Sequence, residues 1–293
     1  MEKAIELLRQ GEVVILPTET VYGIAADCSN DKAVANIYAL KDRPSFNPLI
    51  VHIYNIEQAE EIAHLTPKGR ELAKKYWPGP LTIVAKKKDK AFAQLATAGL
   101  DTIALRVPAH PVTREILKSG LKLAMPSANI SGSLSPTKAE HVKKYFNDLY
   151  IVDGGTCDVG LESTIITFDE NDNSVVLREG VLQIEGARYN DKKIIAPGML
   201  LKHYAPNNPI RINAANAHPD EVFIGFGDIA CDMNLSKTSS LVEAASNLFA
   251  MLHDADAKNK KIAVASVPNV GIGAAINDKL ERAAGQNEKK HNI

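Results

Sequence analysis

Five polar clusters carry residue types that could do chemistry, and each adjoins an apolar run. The first is Pro17-Thr18-Glu19-Thr20-Val21-Tyr22-Gly23, with hydroxyls, a carboxylate and a phenol. Thr and Gly there also suit an ordinary turn. The second, Lys41-Asp42-Arg43-Pro44-Ser45-Phe46-Asn47, spaces two cations two residues apart where proline stops a helix. Arginine offers a planar fork and lysine a point charge, a combination suited to a polyphosphate. Cations at a helix C-terminus also satisfy the helix dipole. His52 follows on the next apolar run. The third cluster is Thr102-Ile103-Ala104-Leu105-Arg106. On a strand, Thr102, Ala104 and Arg106 share a face. An arginine on an inner strand needs an anion, which is either a structural carboxylate or a bound one.

The fourth cluster runs from Met125 to Thr137 and contains Ser127, Asn129, Ser131, Gly132, Ser133 and Ser135. Its hydroxyl and backbone donors suit an anion near a helix N-terminus. Ser135 before Pro136 also reads as an ordinary N-cap. The fifth is Gly160-Leu161-Glu162-Ser163-Thr164, followed by Leu177-Arg178-Glu179-Gly180. Together the clusters place Lys41, Arg43, Arg106 and Arg178 among hydroxyl donors, with no nucleophile–base pair. That inventory favours binding and charge stabilisation of a nucleoside triphosphate over covalent catalysis.

Common motifs are absent from the sequence. There is no GxxxxGK[ST], HExxH, GxSxG or paired-cysteine zinc pattern. A glycine pair at Gly271 and Gly273 opens a helix, but Ile276 stands where a dinucleotide loop wants a third small residue. A glycine-permitted strand–helix turn is the better reading.

The elements that must position these clusters follow from periodicity. Helices are expected over 5–10, 31–40, 56–63, 67–76, 111–118 and 136–146, with Asp31 as an N-cap. Strands are expected over 13–16, 49–53, 81–86, 102–107, 121–125, 150–153, 164–168 and 174–177. Interleaved strands and helices make an α/β fold with a mixed sheet. Ligands in such sheets collect at strand ends, where the polar clusters lie. The stretch 196–209, APGMLLKHYAPNNP, changes character and reads as a linker. Beyond it, strands over 210–214, 222–226 and 261–267 alternate with helices over 240–253 and 272–284. The expected division is therefore 1–195, a linker at 196–209, and a small α/β domain at 210–293.

Charge and composition narrow the function classes. The 293 residues carry 34 basic and 35 acidic side chains. Near-neutrality holds in both parts, because 9 basic and 10 acidic residues follow Asn208. Strong autonomous nucleic-acid binding is not expected from such a chain. The three scattered cysteines suggest reduced thiols and a cytoplasmic protein. No apolar run reaches the roughly 18 residues of a membrane span. The apolar run 13–16 is too short for a signal sequence.

The motifs PTETVYG, KDRPSFNPLIVH, YWPGPLTIV, LRVPAHP, PSANISGSLSPT, GLESTII, LREG and KHYAP occur here in one order. In that order they resemble the threonylcarbamoyl-AMP synthases of the long, two-domain type. The resemblance is dense over 1–206 and looser beyond, where the second domain looks short. It implies a YrdC-like mixed twisted sheet with helices, a proline-rich linker and a small Rossmann-like α/β domain. It also implies conversion of L-threonine, bicarbonate and ATP to threonylcarbamoyl-AMP and pyrophosphate, with Mg²⁺ accompanying ATP. The product would serve threonylcarbamoyladenosine modification of tRNA, through a separate transferase complex.

By the same resemblance, Thr20, His52, Arg106, Ser163 and the backbone at Met125 match the threonine positions. Arg43, Asn47, Thr102, Ser127, Ser135 and Arg178 match the ATP positions, and Lys41 completes the family's Lys-x-Arg pair. Tyr204 matches a residue that reaches the nucleotide from the linker, and a moving linker would close a dry pocket. Three positions depart from the pattern. Asp42 stands where glycine is common, Thr167 where an acidic residue is, and Glu179 where proline is. Two rivals are an RNA-binding module and the carbamoyl-transfer branch that uses a similar domain in hydrogenase maturation. The companion modules of that branch are absent from this sequence.

Overall fold

The computed structural model describes residues 1–189 and 204–285. The elements of the first part, in chain order, are α1 Glu2–Arg9, β1 Val14–Leu16, β2 Gly23–Asp27, α2 Asp31–Lys41, β3 Ile50–His52, α3 Ile56–Ile62, β4 Ala63–His64 and α4 Pro67–Tyr76. They continue with β5 Leu81–Lys87, β6 Thr102–Arg106, α5 Pro111–Leu117, β7 Leu123–Ala124, α6 Ala139–Lys143, β8 Tyr150–Ile151, β9 Thr164–Phe168, β10 Ser174–Arg178 and β11 Arg188–Tyr189. These strands form one mixed sheet in the order β11-β10-β9-β5-β6-β3-β7-β2-β1-β8, with β4 on β5. Parallel pairs β3·β6 and β5·β9 sit at its centre, flanked by antiparallel neighbours.

The second part comprises β12 Ile210–Arg211, β13 Glu221–Gly225, β14 Met233–Asn234, α7 Leu241–Asp256, β15 Lys261–Val264 and α8 Ile272–Ala283. Its four strands are all parallel, in the order β12-β15-β13-β14, with α7 as the crossover from β14 to β15. The expected architecture of a mixed sheet plus a small Rossmann-like unit is what the chain adopts.

Burial explains why the strands lie where they do. β1 and β3 are buried along their whole length, so they read as unbroken apolar runs. One core cluster joins Ile15, Ile24, Ile37, Val51 and Leu105, and another seats α1 and α5 on the opposite side through Leu8, Leu16 and Ile116. The second domain's core, around Phe249, Leu252 and Ile276, also takes in Leu134 and Leu161 from the first domain. The two parts therefore share apolar packing. Gly160 lies at this contact, with a φ of +71° and the Ser246 backbone 2.5 Å from where a Cβ would sit. Only glycine fits there.

Several elements differ from expectation. β2 is not predicted, because GIAAD is small and buried along most of its length, which leaves no alternation to read. The helix expected over 136–146 starts only at Ala139, with Lys138 as its N-cap. Ser135 is therefore not a cap; residues 135–137 form a buried connection instead. Asn30 rather than Asp31 caps α2, its side chain accepting from Ala33 N. The strand expected over 210–214 ends at Arg211, two residues before Asn213 enters a left-handed conformation (φ 56°). The boundary expected at 195 falls outside the described residues.

Candidate active site

The seam between β3 and β6 forms part of the wall of a cleft. Parallel pairing sets His52 opposite Arg106 at the strand ends, and both side chains line the cleft. The turn after β1 supplies Thr18 and Thr20. Thr18 Oγ1 donates to Val21 O at 2.7 Å and accepts from the amides of Thr20 and Val21, so a hydroxyl turn holds Thr20 in place. Met125 lies across from Gly23, where a Cβ would come within 2.3 Å of Met125 Cγ. This explains a glycine at the start of β2.

Arg106 already has one carboxylate. Its Nη2 donates to Glu19 Oε1 at 2.6 Å and its Nε to Gly79 O at 3.2 Å. Glu19 Oε2 accepts from Ala109 N at 2.9 Å. Burial pushes the Glu19 carboxyl up, but the Arg106 charge and these hydrogen bonds outweigh it and hold the group below its usual range. The structural partner allowed for in the sequence reading therefore exists. The hydrogen bonds of Arg106 among the described residues run through Nε and Nη2, leaving Nη1 without one. His52 is buried, and neither ring nitrogen has a hydrogen-bonding side-chain partner among the described residues. Burial, then the Arg106 charge, drives its pKa well below the usual value. The ring is neutral, with one donor and one acceptor in the cleft wall.

The same cleft is also lined by Arg43, Ser127, Glu162 and Arg178. Arg43 donates from Nε to Asn47 O at 3.2 Å and from Nη2 to Pro48 O at 2.9 Å. Arg178 donates from Nε and Nη2 to Ser163 O, at 3.1 and 3.0 Å, and from Nη2 to Ser163 Oγ at 3.1 Å. Neither makes an ion pair among the described residues. Burial, with the Arg178 charge adding to it, lowers Arg43 to about 10, still cationic at neutral pH. Two guanidiniums and the Glu162 carboxylate thus line one space with no ion pair among the described residues.

Not every expected site residue lines this cleft. Lys41 is fully inside, its Nζ donating to Ser127 O at 2.6 Å and Asn129 O at 2.5 Å. It does not line the cleft here but anchors the 127–129 loop, because the last helical turn aims it inward. Asp42 is exposed and left-handed (φ 49°), the conformation that explains why glycine suits this position. Asn47 is buried, with both amide side-chain atoms unpartnered among the described residues. Thr102 begins β6, about 13 Å along the strand from Arg106. Extending the β3·β6 register brings position 102 beside Pro48, next to Arg43. Ser163 is buried behind the wall, its Oγ 2.7 Å from Thr82 Oγ1.

Ser135 donates to Glu162 Oε1 at 2.5 Å. Tyr204 is buried in the second domain's core, its ring centroid 5.4 Å from that of Phe249 and 5.3 Å from Lys279 Nζ. Burial, then the negative charge of Glu162, raises its phenol well above the usual value. Tyr204 packs here between the two domains, in one apolar cluster with Leu134, Leu161 and Phe249. The preceding linker residues, 196–203, lie outside the described residues.

Sequence reasoning missed Glu162 as a site residue. Its Oε2 is buried without a hydrogen-bonding partner among the described residues. The signal was present, since the carboxylate sits between a glycine turn and a strand start.

The fold and cleft define a two-domain α/β protein with an arginine-lined pocket at the strand ends of its larger sheet. Residues 6–180 match the Sua5/YciO/YrdC family model, described as telomere recombination, and 161–285 match the threonylcarbamoyl-AMP synthase C-terminal domain. The chain belongs to the threonylcarbamoyl-AMP synthase family. The threonylcarbamoyl-AMP synthase of Bacillus subtilis is 38% identical, covering 97% of this chain and 92% of its own. That of Schizosaccharomyces pombe is 31% identical, covering 97% and 88%. The crystal structure of Pyrococcus abyssi Sua5 complexed with L-threonine superposes with a TM-score of 0.88 at 34% identity, covering 97% of this chain and 94% of that one.

Proposed function

We propose that this chain is a nucleotidyltransferase that joins L-threonine, bicarbonate-derived CO₂ and the AMP part of ATP, releasing pyrophosphate. The observation that carries the reading is the cleft's polarity. Arg106 and the neutral His52 form one pair in its lining, and Arg43 and Arg178, with no ion pair among the described residues, form another. The first pair suits the carboxylate and hydroxyl of threonine, with which the Pyrococcus abyssi relative is complexed. The second suits a polyphosphate.

The chemistry follows from that placement. The deprotonated amine of threonine attacks the carbon of CO₂, forming a C–N bond and releasing a proton. A carbamate oxygen then attacks the α-phosphorus, and the bond to the pyrophosphate oxygen breaks. Arg43 and Arg178 stabilise charge growing on the phosphates, and a fixed cleft supplies proximity. Thr20, Ser163 and the Met125 backbone complete the threonine end. Asn47, Thr102, Ser127, Ser135 and, through its contact with the inner wall, Tyr204 serve the nucleotide end.

Mg²⁺ fits this cleft as a companion of ATP rather than a resident ion. No group of three or more His, Cys, Asp or Glu among the described residues could hold a metal. Glu162 Oε2 would be the chain's carboxylate ligand, the phosphates and water supplying the rest. When bound, the ion would neutralise phosphate charge. The product would pass to a separate tRNA-modifying transferase. Three free cysteines suit a reducing cytoplasm, and among the described residues no helix is long and apolar enough to cross a membrane.

Mass spectrometry of the reaction with ¹³C-bicarbonate tests this reading. The expected product is an adenylate carrying threonine and one ¹³C. Unlabelled threonyl-adenylate, or no adduct, would overturn it.

A further inference from the structure

The second domain reaches the cleft wall through a histidine of α7. His253 is buried, and its Nε2 stands 3.2 Å from Ser135 O. A carbonyl only accepts, so Nε2 carries the proton. The ring face of His253 stacks on His141 of α6, with centroids 4.0 Å apart and planes 22° from parallel. His141 Nδ1 accepts from Thr137 N at 3.2 Å, which fixes the proton of this ring on Nε2. Burial keeps both rings neutral, His253 at about 4 and His141 at about 3.

Two neutral imidazoles, one from each domain, thus hold the segment 135–137 at both ends. That segment touches two walls of the cleft. Pro136 O accepts from Tyr22 N at 2.8 Å, beside the Thr20 turn. Ser135 donates its hydroxyl to Glu162, which lines the cleft with Arg43 and Arg178. The Ser135 hydroxyl can point at Glu162 only while its backbone keeps this orientation, and the His253 hydrogen bond fixes that backbone.

We propose that His253 of the second domain is a positioning residue for the nucleotide end, holding Ser135 so that its hydroxyl sets Glu162 in the cleft wall. The proposal rests on the reading that Arg43, Glu162 and Arg178 form the ATP end. It gives the second domain a defined part in the reaction: it builds one wall of the site without contacting substrate.

The test uses the full chain with His253→Ala, His253→Gln, Ser135→Ala, the Ala/Ala double variant and Arg43→Ala. The readouts are thermal midpoint and KM for ATP and for L-threonine. His253→Ala is expected to raise KM for ATP roughly fivefold, the worth of one hydrogen bond. KM for threonine should change about twofold or less. His253→Gln should restore KM for ATP, because its amide N–H replaces Nε2–H. In the double variant the two effects should fall well short of multiplying, since both act through the Ser135 hydroxyl. Unchanged KM for ATP in a folded His253→Ala, equal KM in the Ala and Gln variants, or fully multiplicative effects would overturn the proposal. If His253→Ala fails to fold, near-wild-type KM in His253→Gln beside a raised KM in Ser135→Ala supports it, and equal KM in those two overturns it. If Arg43→Ala also leaves KM for ATP unchanged, the nucleotide reading itself fails, a separate outcome.

Discussion

Removing Arg106 should damage the protein in two separable ways. Its guanidinium pairs with Glu19 at 2.6 Å, and the two side chains are 4% and 9% exposed. Arg106→Ala strands a buried carboxylate, a loss of about 3–5 kcal/mol. At roughly 2–4 °C per kcal/mol for chains of this size, the thermal midpoint should fall by about 10 °C. The same substitution removes the cation proposed to meet the threonine carboxylate. A charge-assisted hydrogen bond of about 1.5–3 kcal/mol corresponds to a KM for threonine raised roughly 10- to 150-fold. The Glu19→Ala/Arg106→Ala double variant separates the effects. It leaves no stranded charge, so much of the thermal midpoint should return while KM for threonine stays high. The assay is differential scanning fluorimetry beside pyrophosphate release at varied threonine and varied ATP. Recovery of threonine KM together with thermal midpoint in the double variant would refute the substrate role and leave Arg106 purely structural. A larger rise in KM for ATP than for threonine would refute its placement at the amino-acid end.

Three further outcomes follow from the structure. Gly23→Ala should cost about 1–3 kcal/mol and raise threonine KM, because the new Cβ would sit 2.3 Å from Met125 Cγ; a wild-type melting curve would contradict it. Tyr204→Ala should cost about 3–5 kcal/mol by opening a cavity beside Phe249, read by chemical denaturation, whereas Tyr204→Phe should keep most of the stability. Stability should also fall in mild acid. The folded protein holds His253 and His141 at about 4 and about 3, below the unfolded value of 6.5, so it binds fewer protons than the unfolded chain below pH 6.5. Their contribution is whole above pH 6.5 and shrinks as pH falls toward 4; Lys138 and Lys144 press in the same direction, and Asp256 opposes them at His253. His253→Gln should flatten the thermal midpoint between pH 7 and 5, and an unchanged slope would contradict this.

The sequence showed where polar clusters interrupt buried strands, and those interruptions are where the cleft lies. His52 and Arg106 were each readable as strand-end residues, but their meeting depends on the β3·β6 register, which no local pattern encodes. Lys41 was legible as a cation and not as a buried one, because its direction depends on where α2 ends relative to the 127–129 loop. Ser135 read as an N-cap because Ser-Pro often opens a helix, yet tertiary partners, Glu162 and His253, claim its hydroxyl and its carbonyl. β2 was hidden because full burial erases alternation. The contact between the second domain and the site was beyond the sequence altogether, since His141 and His253 are 112 positions apart and meet only through packing.

The most direct measurement of the central claim is pyrophosphate release from ATP with L-threonine and bicarbonate omitted in turn. Release that requires both, and that collapses in Arg43→Ala and Arg178→Ala, is the predicted result. Release that persists without threonine, or that is indifferent to both arginines, would contradict the account.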